Sequence, residues 1–369
     1  MRSTHPGTHP GTHLGRRSGS RLSRALVALT ATVTCTCTIS AAPASEASTT
    51  VATPVRADVR VASFNIQNVS LDKTVGAQRP WRVRRSTVIS QILAEHVDVI
   101  GVQEAQPSTY FASRLVDGKN QYLDLRNGLN KAGGHYAVAN ANAFNCVNPV
   151  TKYHCRYKDQ NASGGERILY NTRRLTKLRV NAMRYRAQAG RGAMYLAWAW
   201  FRVNATGHKF LFTTTHLEPS SRTVREAQWH QLIRKVNAIK SGHPVVAVGD
   251  FNIQKFDPMA RRLLPAMKRA GYGDVLNQQY AVNPSRNVRA ERRVNGWLNT
   301  YNHLTRDVRV FGYEDRHDKT GNGIDLIFAS NWLRIKKYKV VCNFDPVTLR
   351  VRGTLPSDHN MIRATITLP

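Results

Sequence analysis

Two polar residues follow a short apolar run in the stretch 243–254, which reads HPVVAVGDFNIQ. The β-branched residues of this run are typical of a strand buried on both faces. The run ends in Asp250 and Asn252, which are two apart and can therefore point to the same side of the sheet rim. A carboxylate and an amide are thus presented on a rigid support. The alternative is that both side chains only close a turn through bonds to the backbone.

The same arrangement, an apolar run that delivers a polar side chain, recurs along the chain. The residues concerned are Asn65 after DVRVASF, Glu104 after VDVIGVQ, His216 after KFLFTTT, Asp325 within GNGIDLIFAS, and Asp358 and His359 just before the last apolar run. A lone polar residue at a strand end is usually a solvated rim residue. Because the pattern recurs, we predict that these residues meet in one pocket.

These residue types suit the hydrolysis of a phosphodiester. A hard divalent cation offsets charge in the transition state, and Mg²⁺ prefers one or two carboxylates plus water as ligands. Histidine, with an unperturbed pKa of about 6.5, suits proton transfer near neutral pH. The sequence has neither a Ser or Cys nucleophile motif nor a glycine-rich phosphate cradle. We therefore predict Mg²⁺ as the cofactor, with Mn²⁺ or Ca²⁺ as alternatives.

Strands interleaved with a few helices must position these residues. Alternation predicts a strand before most of them and a final strand after His359. One helix is predicted over Trp81–His96, with Arg82, Arg84 and Arg85 opposite its apolar face, and another runs from a capping box of Thr223 and Glu226 to about Lys240, closed by Gly242. Such a mixture predicts two packed sheets flanked by helices.

Six short motifs occur along the chain in the order FNIQ, GVQEA, THLEP, VGDFN, GIDLIF and PSDHN. This ordered set resembles the endonuclease/exonuclease/phosphatase superfamily, and in particular its deoxyribonuclease I-like members. The resemblance spans residues 58–369. It implies an α/β (α+β) fold, a four-layer α/β/β/α sandwich with two packed, mainly antiparallel sheets flanked by helices. It also implies a divalent-metal-dependent phosphoesterase.

The resemblance further implies a role for each motif residue. Glu104 would bind the metal, Asn65 would help to hold that site, and Asp358 would lie beside the metal. Asp250 would orient or deprotonate the attacking water, and Asn252 would contact the phosphate.

The remaining roles concern the two histidines and one arginine. His359 would lie against the scissile phosphate, held by Asp325, and His216 matches the second histidine of the family. Glu166, in GGERILYN, stands where deoxyribonuclease-like members carry the carboxylate partner of that histidine; the alternative is an ordinary loop carboxylate. Arg191 resembles a phosphate-contacting arginine of nucleases, with a surface role as the alternative.

The chain is strongly basic, with 54 Lys and Arg against 23 Asp and Glu and a formal net charge of +31. Such a surface favours polyanionic partners, nucleic acid first and anionic lipid second, although an excess spread evenly for solubility is the alternative. The basic stretches Arg173–Arg191 and Arg289–Arg293 would suit a DNA-contacting rim, whereas many such runs are only solvated faces. No protein partner is implied.

We predict three functions for this chain, in decreasing order of preference. The first is a secreted nuclease that cleaves DNA or RNA, and the second is a secreted, sphingomyelinase-like phospholipid phosphodiesterase. The third is a catalytically silent polyanion-binding protein. Inositol phosphatases carry a Trp-Cys-Asp-Arg block where this chain has GIDL, which disfavours that branch. The aromatic stretch Met194–Phe201 is apolar on both faces and is better explained as a central strand than as a membrane-inserting hairpin.

The N-terminal region has the composition of an export signal. Arginines precede an uncharged run from Ala25 to Ala42, followed by small residues. We predict a signal peptide over 1–47, a linker over 48–57 and a catalytic domain over 58–369, with a secreted mature chain. In an oxidising compartment Cys146 and Cys155 form the natural disulfide pair, which leaves Cys342 reduced and buried.

Overall fold

Two β-sheets face each other across an apolar core in this computed structural model. The structure describes residues 56–72, 79–140, 145–146, 157–158, 163–190, 192–276, 290–312 and 320–369. All of them belong to one compact unit, Thr53–Pro369. For residues 145–146 and 157–158, only the backbone is described.

The first sheet has seven strands. In spatial order they are β12 (Arg292–Val294), β14 (Arg334–Val341), β15 (Met361–Leu368), β1 (Ala57–Asn65), β2 (Val99–Gln103), β6 (Arg167–Asn171) and β3 (Tyr136–Val138). Its neighbours are antiparallel except for the parallel pairs β1–β2 and β12–β14. The first and last long strands of the domain, β1 and β15, are therefore paired at its centre.

The second sheet has six strands, and a separate hairpin pairs β4 (Asn145–Cys146) with β5 (Tyr157–Lys158). In spatial order the six are β11 (Tyr272–Asp274), β13 (Asp325–Ser330), β10 (Val245–Asp250), β9 (Lys209–His216), β8 (Tyr195–Val203) and β7 (Leu175–Arg184). Only β9 and β10 run parallel among the described neighbours. The predicted pair of mainly antiparallel sheets is confirmed.

Alternation along the strands divides the apolar residues between two faces of each sheet. In β10, Val246 and Val248 lie in the core between the sheets, whereas Val245 and Ala247 lie in the cluster on the outer face. Side chains on a strand alternate with a period of two, so a strand that is apolar at every position must be covered on both sides. The stretch Met194–Phe201 follows the same rule, because all of it after Met194 lies in the interior strand β8.

Helices provide the two covering layers. They are α1 (Trp81–Ala94) and α2 (Gln121–Lys131) over the first sheet, and α3 (Arg222–Ile239) and α4 (Ala260–Arg269) over the second, with a short α5 at Val308–Phe311. Three separate apolar clusters, one between the sheets and one under each helical layer, confirm the predicted α/β/β/α sandwich.

The helix predictions need two corrections. The N-cap of α3 is Ser221, whose Oγ accepts the backbone N–H of Val224, so Thr223 lies inside the helix and forms no capping box with Glu226. Glu226 instead pairs with Arg262 of α4 at 3.0 Å. On α1, Arg84 is buried rather than solvated, because the loops that follow β1 close over it.

Several predictions concern residues outside the described ranges. These are the signal peptide, nearly all of the linker, Arg191, Arg289, and the disulfide of Cys146 with Cys155. Cys342 is a free thiol that is half-buried, and burial raises its pKa to about 12. Within the described part of the chain, no helix is long and apolar enough to cross a membrane.

Candidate active site

Polar residues at the ends of β1, β2 and β10 lie together at one end of the sandwich. Asn65 connects the two sheets, because its Nδ2 donates to Glu104 Oε1 at 2.9 Å and to Asp250 Oδ2 at 3.2 Å. Asn65 is fully buried, and its Oδ1 accepts the backbone N–H of Gln67 at 3.0 Å. The structure therefore brings together three residues that are up to 185 positions apart.

Asp250 lies between two imidazole rings. Its Oδ2 is 3.5 Å from Nε2 of His216 and 3.8 Å from Nε2 of His359. Burial raises the pKa of Asp250 and the charge of Asp325 raises it further, while the two histidines and Asn65 act in the opposite direction. The net pKa is raised, so this buried carboxylate is a better proton acceptor than an exposed aspartate.

His359 is oriented by a carboxylate on the opposite sheet. Its Nδ1 lies 2.8 Å from Oδ2 of Asp325, the first residue of β13, and Nε2 is left to face Asp250. Burial alone would lower the pKa of His359. The negative charges of Asp325, Asp250 and Asp358 outweigh burial and raise this pKa to about 10. The ring is therefore an imidazolium near neutral pH in the metal-free protein.

Glu104 and Asp358 are two carboxylates in mutual electrostatic contact. Burial acts to raise the pKa of Glu104, but the charge of His216 and hydrogen bonds from Asn65 and Asn68 outweigh it and lower the pKa. The pKa of Asp358 is raised by burial and also by the negative charge of Glu104. Both side chains are only partly buried.

This donor set fits a divalent cation. Glu104 and Asp358 raise each other's energy as anions, and a cation bound between like charges relieves that repulsion. A second group, formed by Asp250, Asp325 and His359, has its potential ligand atoms within 4.8 Å of one another and is buried. The sequence motifs predict the metal at the first group and proton transfer at the second, whereas the geometry allows either group to hold an ion.

Asn252 and Glu104 both have left-handed backbone conformations that non-glycine residues seldom adopt, with φ of 51° and 59°. The Asn252 backbone N–H donates to Asp250 Oδ1 at 3.0 Å, and its Nδ2 donates to Leu217 O at 2.8 Å. Asp250 thus accepts a backbone hydrogen bond that closes a turn, and it also faces the pocket. Both roles considered from the sequence, in the turn and in the pocket, therefore apply to this residue. Backbone strain of this kind collects where a side chain must be aimed.

Glu166 lies at the start of β6 and is buried near Glu104. Burial raises its pKa well above the usual value, although the charge of Arg167 and a backbone N–H of Tyr195 act against this rise. Its Oε2 has no hydrogen-bond partner among the described residues, and no described hydrogen bond joins it to His216. Its assignment as the carboxylate partner of His216 stays a prediction.

The predicted DNA-contacting rim reaches the site only at one end. The basic stretch after Arg173 forms the edge strand β7, which begins opposite Val203 at the far end of the sheet. It reaches the site end only at Arg184, which pairs with Tyr195. Most of this stretch is therefore a solvated strand edge rather than a border of the pocket.

Arg84 supports the site from within, although the helical periodicity predicts a solvated position for it. Its guanidinium donates to the carbonyl oxygens of Ile66, Gln67 and Pro356, the last two at 2.8 and 3.0 Å. It thereby ties the segment after Asn65 to the segment before Asp358. No periodicity could have revealed this role, because the carbonyls lie up to 272 residues away.

Three further residues contact the site, and the sequence did not predict them. Ser357 Oγ donates to Asn65 O at 2.7 Å, Thr300 Oγ1 accepts the backbone N–H of Asp325 at 3.0 Å, and the ring of Tyr301 lies 5.1 Å from the ring of His359. Ser357 stands beside the PSDHN motif and could have been singled out on that ground. Thr300 and Tyr301 lie in a loop with no sequence signal.

The chain belongs to the endonuclease/exonuclease/phosphatase family. The family's sequence model matches residues 62–359, which include nearly every residue of the pocket. Members of this family are divalent-metal-dependent hydrolases of phosphoester bonds. A comparison with curated proteins found no match.

Solved structures share the fold at low sequence identity. An endonuclease/exonuclease/phosphatase family protein from Bacteroides thetaiotaomicron is 16% identical with a TM-score of 0.60, over 85% of this chain and 99% of that one. A mannosyl-6-phosphatase from the same organism is 17% identical with a TM-score of 0.58, over 84% and 99%. D. rerio TDP2 complexed with single strand DNA product is 16% identical with a TM-score of 0.51, over 84% and 98%.

Proposed function

We propose that this protein is a secreted nuclease that hydrolyses phosphodiester bonds in DNA or RNA with the help of a divalent cation, Mg²⁺ in the first place. The observation that carries the proposal is the position of Asp250, at the end of β10, between two imidazoles. The chain also has a formal net charge of +31. The pocket supplies hydrolytic chemistry, and the charge favours a polyanionic substrate.

Asp250 serves as the group that orients and deprotonates the attacking water. It is buried with a raised pKa, and Asn65 and Asn252 each hold one of its oxygens. These hydrogen bonds fix the carboxylate, so its free lone pairs point in a defined direction. A fixed base within hydrogen-bond reach of water contributes about 10²–10⁴-fold to a rate.

His359 serves as the positively charged partner of the scissile phosphate. Asp325 accepts from Nδ1 and thereby directs Nε2 into the pocket. Because its pKa is raised, the ring carries a proton that it can share with a phosphoryl oxygen or donate to a leaving group. His216, half-buried on the other side of Asp250, is positioned for the second proton transfer.

Glu104, Asp358 and Asn65 would hold the cation. A divalent ion in this place supplies charge neutralisation at the phosphate. Asn65 donates to both Glu104 and Asp250, so the residues that would hold the cation adjoin those that would act on water and phosphate. Asn252, with one side-chain N–H remaining after its bond to Leu217, would contact a phosphoryl oxygen.

A substrate panel tests the proposal. The purified chain should cleave single- and double-stranded DNA or RNA with Mg²⁺ and should lose this activity in EDTA. Sphingomyelin and mannose 6-phosphate, assayed in parallel, separate the nuclease from a lipid phosphodiesterase and from a sugar phosphatase. Turnover of either compound without turnover of nucleic acid would refute the nuclease. Binding of nucleic acid without turnover in any divalent metal would support the silent polyanion binder.

Secretion needs its own test. The full-length chain produced in a bacterial host with a general secretory pathway should appear in the culture medium with its first residue near position 48. Intact protein retained in the cell would refute an exported nuclease and would leave the catalytic proposal untouched.

A further inference from the structure

A basic cleft lies beside the catalytic pocket. It has a volume of about 650 Å³, and its walls include Arg79, Arg306, Arg350, Leu304, Thr354 and Leu355. Cavities of about 300–1,000 Å³ bury ligands the size of a nucleotide or two rather than a duplex. Among the residues that the structure describes, no acidic side chain lines this cleft.

The arginines of the cleft differ in how they are held. Arg306 donates to Val351 O from both Nε and Nη2, at 3.0 and 2.8 Å, so its remaining N–H groups are fixed in direction. Arg79 and Arg350 are exposed, and no hydrogen bond or ion pair within 4 Å joins their side chains to described residues, although the charge of Arg350 contributes to lowering the pKa of Asp307. The nearby Asp307 is paired with Arg309 at 2.9 Å. Arg309 is the main partner of Asp307 and Arg350 contributes least, so most of the positive charge of the cleft is available to an anion.

The same two segments form the cleft and the catalytic pocket. Leu355 is three residues before Asp358, a distance that the chain covers in at most about 10–11 Å. On the other wall, Leu304 is three residues after Tyr301, which forms a β-bridge with His359. The cleft is therefore within a few nucleotides of any phosphate held at His359, because the phosphates of one strand follow each other about every 3.4 Å along a helix axis.

A row of aromatic and imidazole rings connects the cleft with the catalytic pocket. Tyr301 lies edge-on to His359 at 5.1 Å and to His303 at 4.5 Å. His303 is exposed, and both it and Leu304 have a left-handed φ of 56°. Two consecutive non-glycine residues in this conformation are strained, and the tight turn keeps the His303 ring beside Tyr301. Exposed rings beside basic side chains are the usual platform for unpaired bases.

We infer that this cleft is the subsite for a single strand of nucleic acid that continues from the scissile phosphate, with arginines on its phosphates and the His303 ring on a base. The inference rests on the proposed nuclease function and specifies its substrate as a strand that is unpaired next to the cut. A small phosphodiester held at His359 would not extend into the cleft.

Binding without turnover tests the subsite apart from catalysis. A fluorescein-labelled 12-residue single-stranded oligonucleotide is titrated with protein in EDTA, by anisotropy, between 50 and 300 mM KCl. The double variant Arg79→Gln/Arg350→Gln should bind about tenfold more weakly at 100 mM KCl. Its slope of log K against log salt should be smaller by about 1.4, since each lost phosphate contact removes about 0.7 for a single strand.

The matched control is Arg173→Gln/Arg202→Gln. Both side chains are exposed without a side-chain partner among the described residues, and Arg202 pairs with Lys209 at the end of the sheet opposite the pocket. This control has the same net charge as the cleft variant and should keep the wild-type slope. If both variants lose the same affinity for the oligonucleotide, or if the cleft variant loses none, the inferred subsite is wrong and the binding comes from charge spread over the surface.

The base contact has a separate readout. His303→Ala should weaken binding of the normal oligonucleotide about fivefold with the salt slope unchanged, and should bind an abasic oligonucleotide as the wild type does. Equal loss on both oligonucleotides would show that the ring contacts no base. Melting temperatures of all variants within about 2 °C of wild type exclude misfolding as the cause.

Two further measurements separate the alternatives. In Mg²⁺, the cleft variant should raise KM for the oligonucleotide about tenfold and leave hydrolysis of bis-p-nitrophenyl phosphate unchanged. If wild-type protein binds the oligonucleotide through the cleft but does not cleave it, the nuclease fails and the subsite stands. If the cleft variant loses binding to phosphatidylglycerol vesicles but not to the oligonucleotide, the cleft is a membrane contact and the inference is wrong.

Discussion

Asp250 is the residue on which the proposed chemistry depends most. It is buried, it has a raised pKa, and among the described residues it is the one carboxylate within 4 Å of both histidines. Its neighbours fix its orientation from both sheets. A water-orienting carboxylate of this kind works in the transition state rather than in substrate binding.

We expect Asp250→Asn to lower kcat at least about a hundredfold on both an oligonucleotide and a small phosphodiester. The amide retains the size of the carboxylate but cannot accept the proton of water. Steady-state kinetics on both substrates measure the effect, and a melting temperature near that of wild type shows that the fold is intact. Near-normal kcat would remove Asp250 from the reaction.

Glu104 gives a prediction about the metal. Glu104→Gln keeps the shape of the side chain and removes its charge, so we expect the Mg²⁺ concentration for half-maximal activity to rise about tenfold or more, with partial recovery at saturating metal. Titration of activity with MgCl₂ and MnCl₂ measures this shift. An unchanged metal requirement would assign the ion to Asp250, Asp325 and His359 instead.

His359 links stability to pH in the metal-free protein. Its pKa is about 10 in the folded state and about 6.5 when unfolded, so the folded state binds the proton more tightly. The stabilisation is fully present below about pH 6.5 and is lost as the pH rises through about 10.

We therefore expect the melting temperature in EDTA to fall between pH 7 and 9. In Asp325→Asn, which lacks the largest charge that raises this pKa, the fall should be smaller. Calorimetry of both proteins at matched ionic strength measures the difference. If the melting temperatures of both proteins fall equally with pH, Asp325 does not raise the pKa of His359 in this pH range.

At the scale of elements, the close approach of β9 and β10 places His216 beside Asp250. Gly249 allows this approach: a Cβ there would lie 2.2 Å from the carbonyl oxygen of Thr215, and its φ is 154°. The main chain of β9 cannot move aside without moving His216. The glycine is therefore required by contact as well as by backbone conformation.

We expect Gly249→Ala to lower the free energy of unfolding by about 1–3 kcal/mol and to reduce kcat as well, because the displaced strand end carries Asp250. Gly207→Ala is the control, since Gly207 has a φ of 76° but nothing within 4 Å of its Cβ position. Urea titrations compare the two. If both variants lose the same free energy of unfolding and Gly249→Ala keeps full activity, the contact of Gly249 with Thr215 does not control how closely β9 and β10 approach each other.

For the whole molecule, the net charge of +31 acts on the approach of substrate as well as on its binding. Raising KCl from 50 to 200 mM should lower kcat/KM for an oligonucleotide by about tenfold or more, because bound phosphates must compete with salt. Hydrolysis of a small phosphodiester should hardly change. Equal salt dependence for the two substrates would show that the charge does not serve substrate capture.

The strands, and the residues that stand at their ends, could be predicted from the amino-acid sequence. Alternation with a period of two is local, so Asn65, Glu104, Asp250 and His359 could be assigned to strand ends without any tertiary information. Their order in the chain also indicated the family. The prediction of two sheets between helical layers followed from the same local pattern.

Which polar groups are buried, and what they contact, depends on the complete fold. Arg84 lies at a helical position that the periodicity assigns to solvent, yet it is buried because loops from both ends of the chain bring three carbonyl oxygens to it. The basic cleft likewise joins Arg79 to Arg306 and Arg350, which no local pattern connects. Burial and charge depend on distances through space, and a linear sequence encodes those distances only through the completed fold.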